Sequence, residues 1–254
     1  MKNIITSASI CLNDKYGFVY RVCRLDYILN EDDSFSYIFT PDYSVIDLLY
    51  NDLFQGIPGL NLDLRKEVYI RENSTPVFIS ERTPSENREE LFELLAKCDL
   101  KYLNRLEWLI RTSTRYSGDN FYVIRYEPKA TLFYEDIIAS ENRASLTINN
   151  ILNNICLGNI IVTNDFSIND ANRKGYYSLL MPLFEKEKLF LINKRVSGIK
   201  ESAKYGIYRG RKPILIDKLK FEEVAKDFQS KKITQKEALE ILKISKSTFY
   251  RRLK

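Results

Sequence analysis

Seven of the eight residues Ser245–Arg252, SKSTFYRR, carry groups that donate hydrogen bonds: the hydroxyls of Ser245, Ser247 and Thr248, the cations Lys246, Arg251 and Arg252, and the phenol of Tyr250. Phosphate oxygens and the groove edges of bases accept such bonds, so this stretch is equipped for non-covalent recognition of double-stranded DNA. A second basic cluster, Arg209, Gly210, Arg211 and Lys212, lies in the Gly- and Pro-punctuated string at 208–213, which suits an extended arm entering a minor groove.

Covalent chemistry is far more restricted. The chain has no histidine, which excludes Ser-His-Asp and Cys-His catalysis and most zinc enzymes. Cys11, Cys23, Cys98 and Cys156 show no CxxC spacing, so neither a zinc ribbon nor a disulfide framework is expected, and they read as reduced thiols in a cytoplasm. Nothing resembles a phosphate-binding P-loop, a dinucleotide fingerprint or a metal-ligand cluster, so no cofactor and no metal are expected. No apolar run approaches the roughly 20 residues of a membrane span. The N-terminal MKNIITSASICLNDKYG lacks the basic flank and apolar stretch of an export signal.

The basic residues need elements to present them. Residues 201–254 hold 15 Lys and Arg against 7 acids, which leaves −3 of the chain's net +5 for residues 1–200. Phe221, Val224, Ala225 and Phe228 mark one helix. Thr234 and Glu237 form a capping box that opens a second helix through Ala238, Leu239 and Leu242. Ser245 can cap a third, with Phe249 and Leu253 directed inward. Three short helices with a tight turn before the last predict an all-α helix-turn-helix domain at 217–254. Ahead of it, residues 175–206 read as one long helix with Leu179, Leu183, Phe184, Leu191, Ile192 and Ile199 on an apolar stripe and Pro182 marking its first turn or a kink. Residues 207–216 are the basic linker.

In residues 1–174, YGFVYRVCRLDYIL, FSYIFT, NFYVIRY and NIIVTND read as strands, as does a short β run in TPVFIS. YSVIDLLYNDLF, a segment opened by Ser85 or Asn87, KYLNRLEWLIRT and SLTINNILNNI read as helices. Strands alternating with helices predict an α/β body with a largely parallel sheet.

The stretches FEKEKLFLINKRVSGIKESAKYGIYRGRKP and KITQKEALEILKISKSTFYRR resemble the serine recombinases, the resolvase and invertase family, over roughly the last 75 residues. SERTPSENREELFELL and GDNFYVIRYEPKAT are similar more faintly. The resemblance implies a resolvase-like body, a homodimer built on the long helix, and a prokaryotic, nucleoid-associated protein of a mobile element or plasmid. It places Arg21, Cys23 and Arg88 as catalytic candidates, with Cys23 standing where the family's nucleophilic serine belongs. Glu127-Pro128-Lys129-Ala130-Thr131 lacks the two arginines of the family's central strand. The resemblance therefore implies site-specific DNA binding without strand cleavage. Two alternatives stay open: an active DNA recombinase whose nucleophile is Ser7, Ser9 or Cys23, and an effector- or protein-binding body tethered to DNA.

Overall fold

The computed structural model describes residues 3–116, 118–139, 147–205 and 217–253. The chain divides into two compact units, Met1–Phe190 and Leu191–Lys254.

The first unit is built on hairpins. Strand β1 (Asn3–Asn13) is followed by β2 (Val19–Leu29) through a turn in which the Asp14 carboxylate accepts the amides of Tyr16 at 2.8 Å and Phe18 at 2.9 Å. Gly17 supplies the left-handed backbone, φ +91°, that this turn requires. β2 returns as β3 (Phe35–Pro41) across Asn30–Ser34, where Asp32 accepts the Ser34 amide. β3 then pairs with β4 (Tyr69–Glu72). The outer edge of β1 is taken by β5 (Tyr122–Arg125), and the strand order is β4-β3-β2-β1-β5, antiparallel throughout. A second, three-stranded sheet joins β6 (Thr131–Phe133) parallel to β7 (Ile160–Val162), with β8 (Ser167–Ile168) antiparallel beside it.

The expected largely parallel, resolvase-like sheet is therefore wrong. Loops of a few residues can only reverse a chain, so β1, β2 and β3 had to pair antiparallel; a parallel pair needs a crossover of a dozen residues or more. The single parallel pair among the described residues, β6–β7, has that crossover: α5 (Tyr134–Ala139) and α6 (Thr147–Cys156) lie between its strands.

One face of the large sheet is apolar and covered. Ala8, Ile10, Leu12, Tyr20, Leu25, Tyr37, Phe39 and Val123 are buried with Val45 of α1 (Tyr43–Ile46), Phe78 and Ile79 of α2 (Val77–Ser80), Leu91 and Leu95 of α3 (Leu91–Lys97) and Leu106, Trp108 and Leu109 of α4 (Arg105–Thr112). α6 adds Leu152, Ile155 and Cys156. The other face carries polar groups: the Ser7 hydroxyl donates to Asp26 at 2.6 Å, Arg24 pairs with Asp26 at 2.9 Å, and the Arg24 guanidinium lies 4.3 Å from the Tyr126 ring centroid. A sheet with one dry and one solvated face is the ordinary antiparallel arrangement.

Three local expectations are corrected. The apolar run at Val77–Ser80 is a helical turn entered from Pro76, not a strand. The helix expected over YSVIDLLYNDLF lasts only for Tyr43–Ile46. The helix expected to open at Ser85 or Asn87 starts at Leu91 instead, with Glu90 before it. α7 runs Arg173–Lys204 with Pro182 well inside it. Its first turns bury Tyr177 and Met181, and Phe184 packs its ring 5.1 Å from Phe18 and 5.5 Å from Tyr16. The expected stripe is not what packs: Leu179 and Leu183 are exposed, and beyond Phe184 so are Leu189, Leu191, Ile192, Val196 and Ile199. Among the described residues no helix is long and apolar enough to cross a membrane.

At the root of α7, Arg173 is completely buried. Its guanidinium donates to the carbonyls of Ile155 (3.0 Å), Gly158 (3.0 Å) and Asn159 (2.9 Å), to the Ser44 hydroxyl (3.1 Å) and to Asp170 (2.7 Å). Those carbonyls cluster where α6 ends in a Schellman turn, Asn159 N–H bonding to Asn154 O and Gly158 N–H to Ile155 O. Gly158 has φ +77°, and a Cβ there would sit 2.9 Å from an Asp42 carboxylate oxygen, so glycine is required twice over. Lys129 closes the cluster, holding Asp42 at 2.8 Å and Asp170 at 3.0 Å.

Candidate nucleic-acid interface

The second unit carries the basic tail on three helices, α8 (Lys218–Gln229), α9 (Gln235–Leu242) and α10 (Lys246–Leu253). Each start has its own stop signal for the preceding chain. Asp217 caps α8 by accepting the Leu219 amide at 3.0 Å. Thr234 and Glu237 exchange the two bonds of a capping box, with Thr234 N–H reaching Glu237 at 2.7 Å. The backbone and hydroxyl donors of Thr234 hold the Glu237 carboxyl below its usual range. Ser245 accepts the Thr248 amide and so begins α10.

The core is small and aromatic. Val224, Ala238, Leu242, Ile244 and Phe249 are buried, with Phe221, Phe228, Ile233, Leu239 and Leu253 around them. Phe249, with no exposed surface, has ring centroids 5.8 Å from Phe221 and 5.3 Å from Phe228. Only Lys243, Ile244 and Ser245 separate α9 from α10. Lys243 makes the corner in the left-handed conformation, φ 50° and ψ 43°. A side chain there costs about 1–2 kcal/mol that a glycine would not, and Ile244, buried behind the corner, anchors it.

This geometry leaves the outer face of α10 open. Ser245, Lys246, Ser247, Tyr250, Arg251 and Arg252 are exposed and Thr248 is half-buried. The hydroxyls are not equivalent: Ser245 Oγ lies 2.9 Å from Thr248 Oγ1 and 3.1 Å from Ser247 Oγ, so Ser245 and Thr248 serve the cap first. Tyr250 is braced edge-on by Phe228 (6.4 Å) and Phe249 (5.7 Å), which steadies a partly exposed phenol. Lys236, exposed on the first turn of α9, and Lys243 at the corner add further cations; the signal for Lys236 was its place two residues after the capping Thr234. Arg209, Gly210, Arg211 and Lys212 lie outside the described residues.

The three catalytic candidates are not gathered. Arg21 and Cys23 line a pocket of about 420 Å³ together with Arg24, Lys129 and Asp170; Arg88 is not among its lining residues. Arg88 is exposed before α3 and pairs with Glu90 at 3.4 Å. Arg21 donates to the Glu127 carbonyl at 2.6 Å. Cys23 is 1% exposed in the middle of the sheet, opposite Ile10 and Pro41, and burial pushes its thiol far above the ordinary range, outweighing the opposing backbone hydrogen bond at Thr40. Burial likewise pushes the thiols of Cys11 and Cys156 up to about 12. A thiol held protonated is a poor nucleophile.

Other arginines that could have faced a phosphate are tied to separate protein groups. Arg65 forks onto Asp47 at 2.9 and 3.0 Å, Arg71 donates to the Gly59 carbonyl, and buried Arg82 bonds Asp119 and the Phe78 carbonyl. Among the described residues no group of three or more Cys, Asp or Glu could hold a metal ion. Compared with protein-family models, with curated proteins and with solved structures, the chain finds no match.

Proposed function

We propose that this chain is a sequence-specific double-stranded DNA-binding protein whose α10 enters the major groove, with the body Met1–Phe190 doing no strand cleavage. The observation that carries the reading is the outward set Lys246, Ser247, Tyr250 and Arg251 on a helix held by a three-residue turn and a buried Phe249. The concentration of basic residues in 201–254 supports it, since cations displace the counterions of a duplex. The buried Cys23 supports the non-cleaving half.

Binding is tested with duplexes selected from a random library by the full-length protein, followed by titration across salt concentrations. The double variant Lys246→Ala, Arg251→Ala should bind about tenfold or more weakly and lower the slope of log affinity against log salt by about 1 to 2. Ser247→Ala should relax preference at one base position while leaving that slope alone. Unaltered affinity and slope in the double variant would remove α10 from the interface.

We further propose that the protein binds as a homodimer through the distal part of α7. Leu189, Ile192, Val196, Ile199 and Ala203 alternate in steps of three and four, the spacing that seats knobs into holes between two helices. All four large members are exposed, Leu189 at 60%. A second copy supplies an identical stripe. Ile192→Glu with Ile199→Glu should turn a dimeric sedimentation species into a monomer and weaken DNA binding; a wild-type protein that sediments as a monomer at micromolar concentration refutes the pairing.

A further inference from the structure

Between the β1–β2 turn, the segment after α1 and the root of α7 lies a pocket of about 430 Å³, inside the range that holds small molecules. Its walls are apolar: Leu48, Leu49, Leu53 and Met181, with the rings of Tyr20 and Tyr177 at the base. The two phenols satisfy each other, oxygen to oxygen at 2.7 Å, and burial raises both above the ordinary phenol range, so neither ionises near neutral pH.

The polar groups that remain are mostly acceptors. Glu185 takes the Tyr16 hydroxyl on one carboxylate oxygen at 2.6 Å and keeps the second. Asp52 is exposed at the mouth, and no hydrogen bond or ion pair engages it among the described residues. Asp14 accepts two backbone amides on one oxygen and lies 3.3 Å from the Tyr20 hydroxyl on the other. On the cationic side, Lys15 and Lys188 place their ammoniums over the Tyr16 ring, 4.8 and 4.5 Å from its centroid. Three carboxylates, Asp14, Asp52 and Glu185, thus line an apolar, phenol-based cavity with Lys15 as the one cation among its lining residues, and that ammonium rests on the Tyr16 ring.

We propose that this pocket binds a small organic cation, a protonated amine carried on a one-ring apolar body. The ring is taken up by Leu48, Leu49, Met181, Tyr20 and Tyr177. The ammonium donates to Glu185 and Asp52 and lies against tyrosine faces, whose electrons attract cations. An anion of the same shape meets three carboxylates, and a neutral analogue leaves the acceptors without a donor.

No lining residue of the pocket belongs to α10, so its test does not depend on DNA binding. Full-length protein is titrated calorimetrically with tyramine and phenethylamine, with neutral 4-ethylphenol and with anionic 4-hydroxyphenylacetate. The amines should bind about tenfold or more tightly than 4-ethylphenol, and the acid should give no heat. Asp52→Asn with Glu185→Gln should weaken the amines by about tenfold at unchanged Tm, and Leu49→Trp, which fills the cavity, should abolish binding. Lys246→Ala with Arg251→Ala should leave amine binding intact. The proposal is overturned if neither amine binds, if 4-ethylphenol binds equally well, or if the amide variants and Leu49→Trp retain wild-type affinity for the amines.

Discussion

Arg173→Met lowers the stability of the unit Met1–Phe190 by about 3–5 kcal/mol, the cost of removing a buried guanidinium whose donors are all engaged by protein acceptors. Every N–H of the Arg173 fork has an acceptor, and three of these are carbonyls at the end of α6. Methionine fills similar volume yet takes the guanidinium donor from the Gly158 and Asn159 carbonyls, while the Ile155 carbonyl keeps only the Gly158 amide. Lysine restores the charge but offers three donors from a single point in place of a planar fork, so Arg173→Lys recovers only part of the loss. In thermal unfolding followed by calorimetry, the transition of this unit should fall by about 10 °C or more; a shift under about 2 °C would show that the fork stabilises nothing.

The same cluster has a signature in acid. Desolvation raises the Asp170 carboxyl, but the hydrogen bonds from Arg173 and Lys129 outweigh it and leave the group below its ordinary range. A carboxylate depressed by folding contributes fully above its unfolded pKa of about 4, and that contribution is lost as pH falls through the folded value. The gap between wild type and Arg173→Met therefore narrows below about pH 4.

Phe249→Ala unfolds the trihelical unit while sparing the body. The substitution costs about 3–5 kcal/mol where a large buried ring leaves a cavity, and a core of five buried side chains belongs to a segment too short to hold much reserve. Tryptic cleavage within 217–253, which is rich in lysine, should accelerate to the rate of an open chain, and hydrogen exchange there should lose protection while β1, β2 and β3 keep theirs. DNA binding should disappear with it. Wild-type cleavage rates in this segment would mean that the three helices are held by something other than Phe249.

Legibility followed distance along the chain. The tail was readable because its determinants are local: Thr234 and Glu237 are three residues apart, Ser245 caps its own helix, and Phe249 falls on the period of the short helix it anchors. The sheet was not. NIITSASICLN mixes small polar and apolar residues, so the central strand β1 gives no clean alternation, and its partner β5 lies more than a hundred residues away. VFIS has strand-forming residues but follows Pro76, and tertiary packing of Phe78 and Ile79 settles it as a helical turn. The cluster around Arg173 draws on Asp42, Ser44, Lys129 and Asp170 from three separate stretches, none of which forms a recognisable pattern by itself. The pocket under Tyr20 and Tyr177 was hidden for the same reason. Periodicity misplaced the apolar face of α7: of the expected stripe only Phe184 packs on the core, Leu179, Leu183 and Leu191 through Ile199 lie exposed, and the buried Tyr177 and Met181 fall off that stripe.

The strand order has a bearing on how the protein is made. β1 through β4 can zip together once residue 72 has left the ribosome, yet the far margin of β1 waits for residues 122–125. Throughout that interval the nascent chain offers a bare row of amides and carbonyls beside a greasy, half-roofed surface, an invitation to clump with its neighbours. Slow decoding between residues 73 and 121 should therefore raise the chain's demand for a holding chaperone, whereas the tail, assembled from contacts close in sequence, completes itself quickly once it emerges.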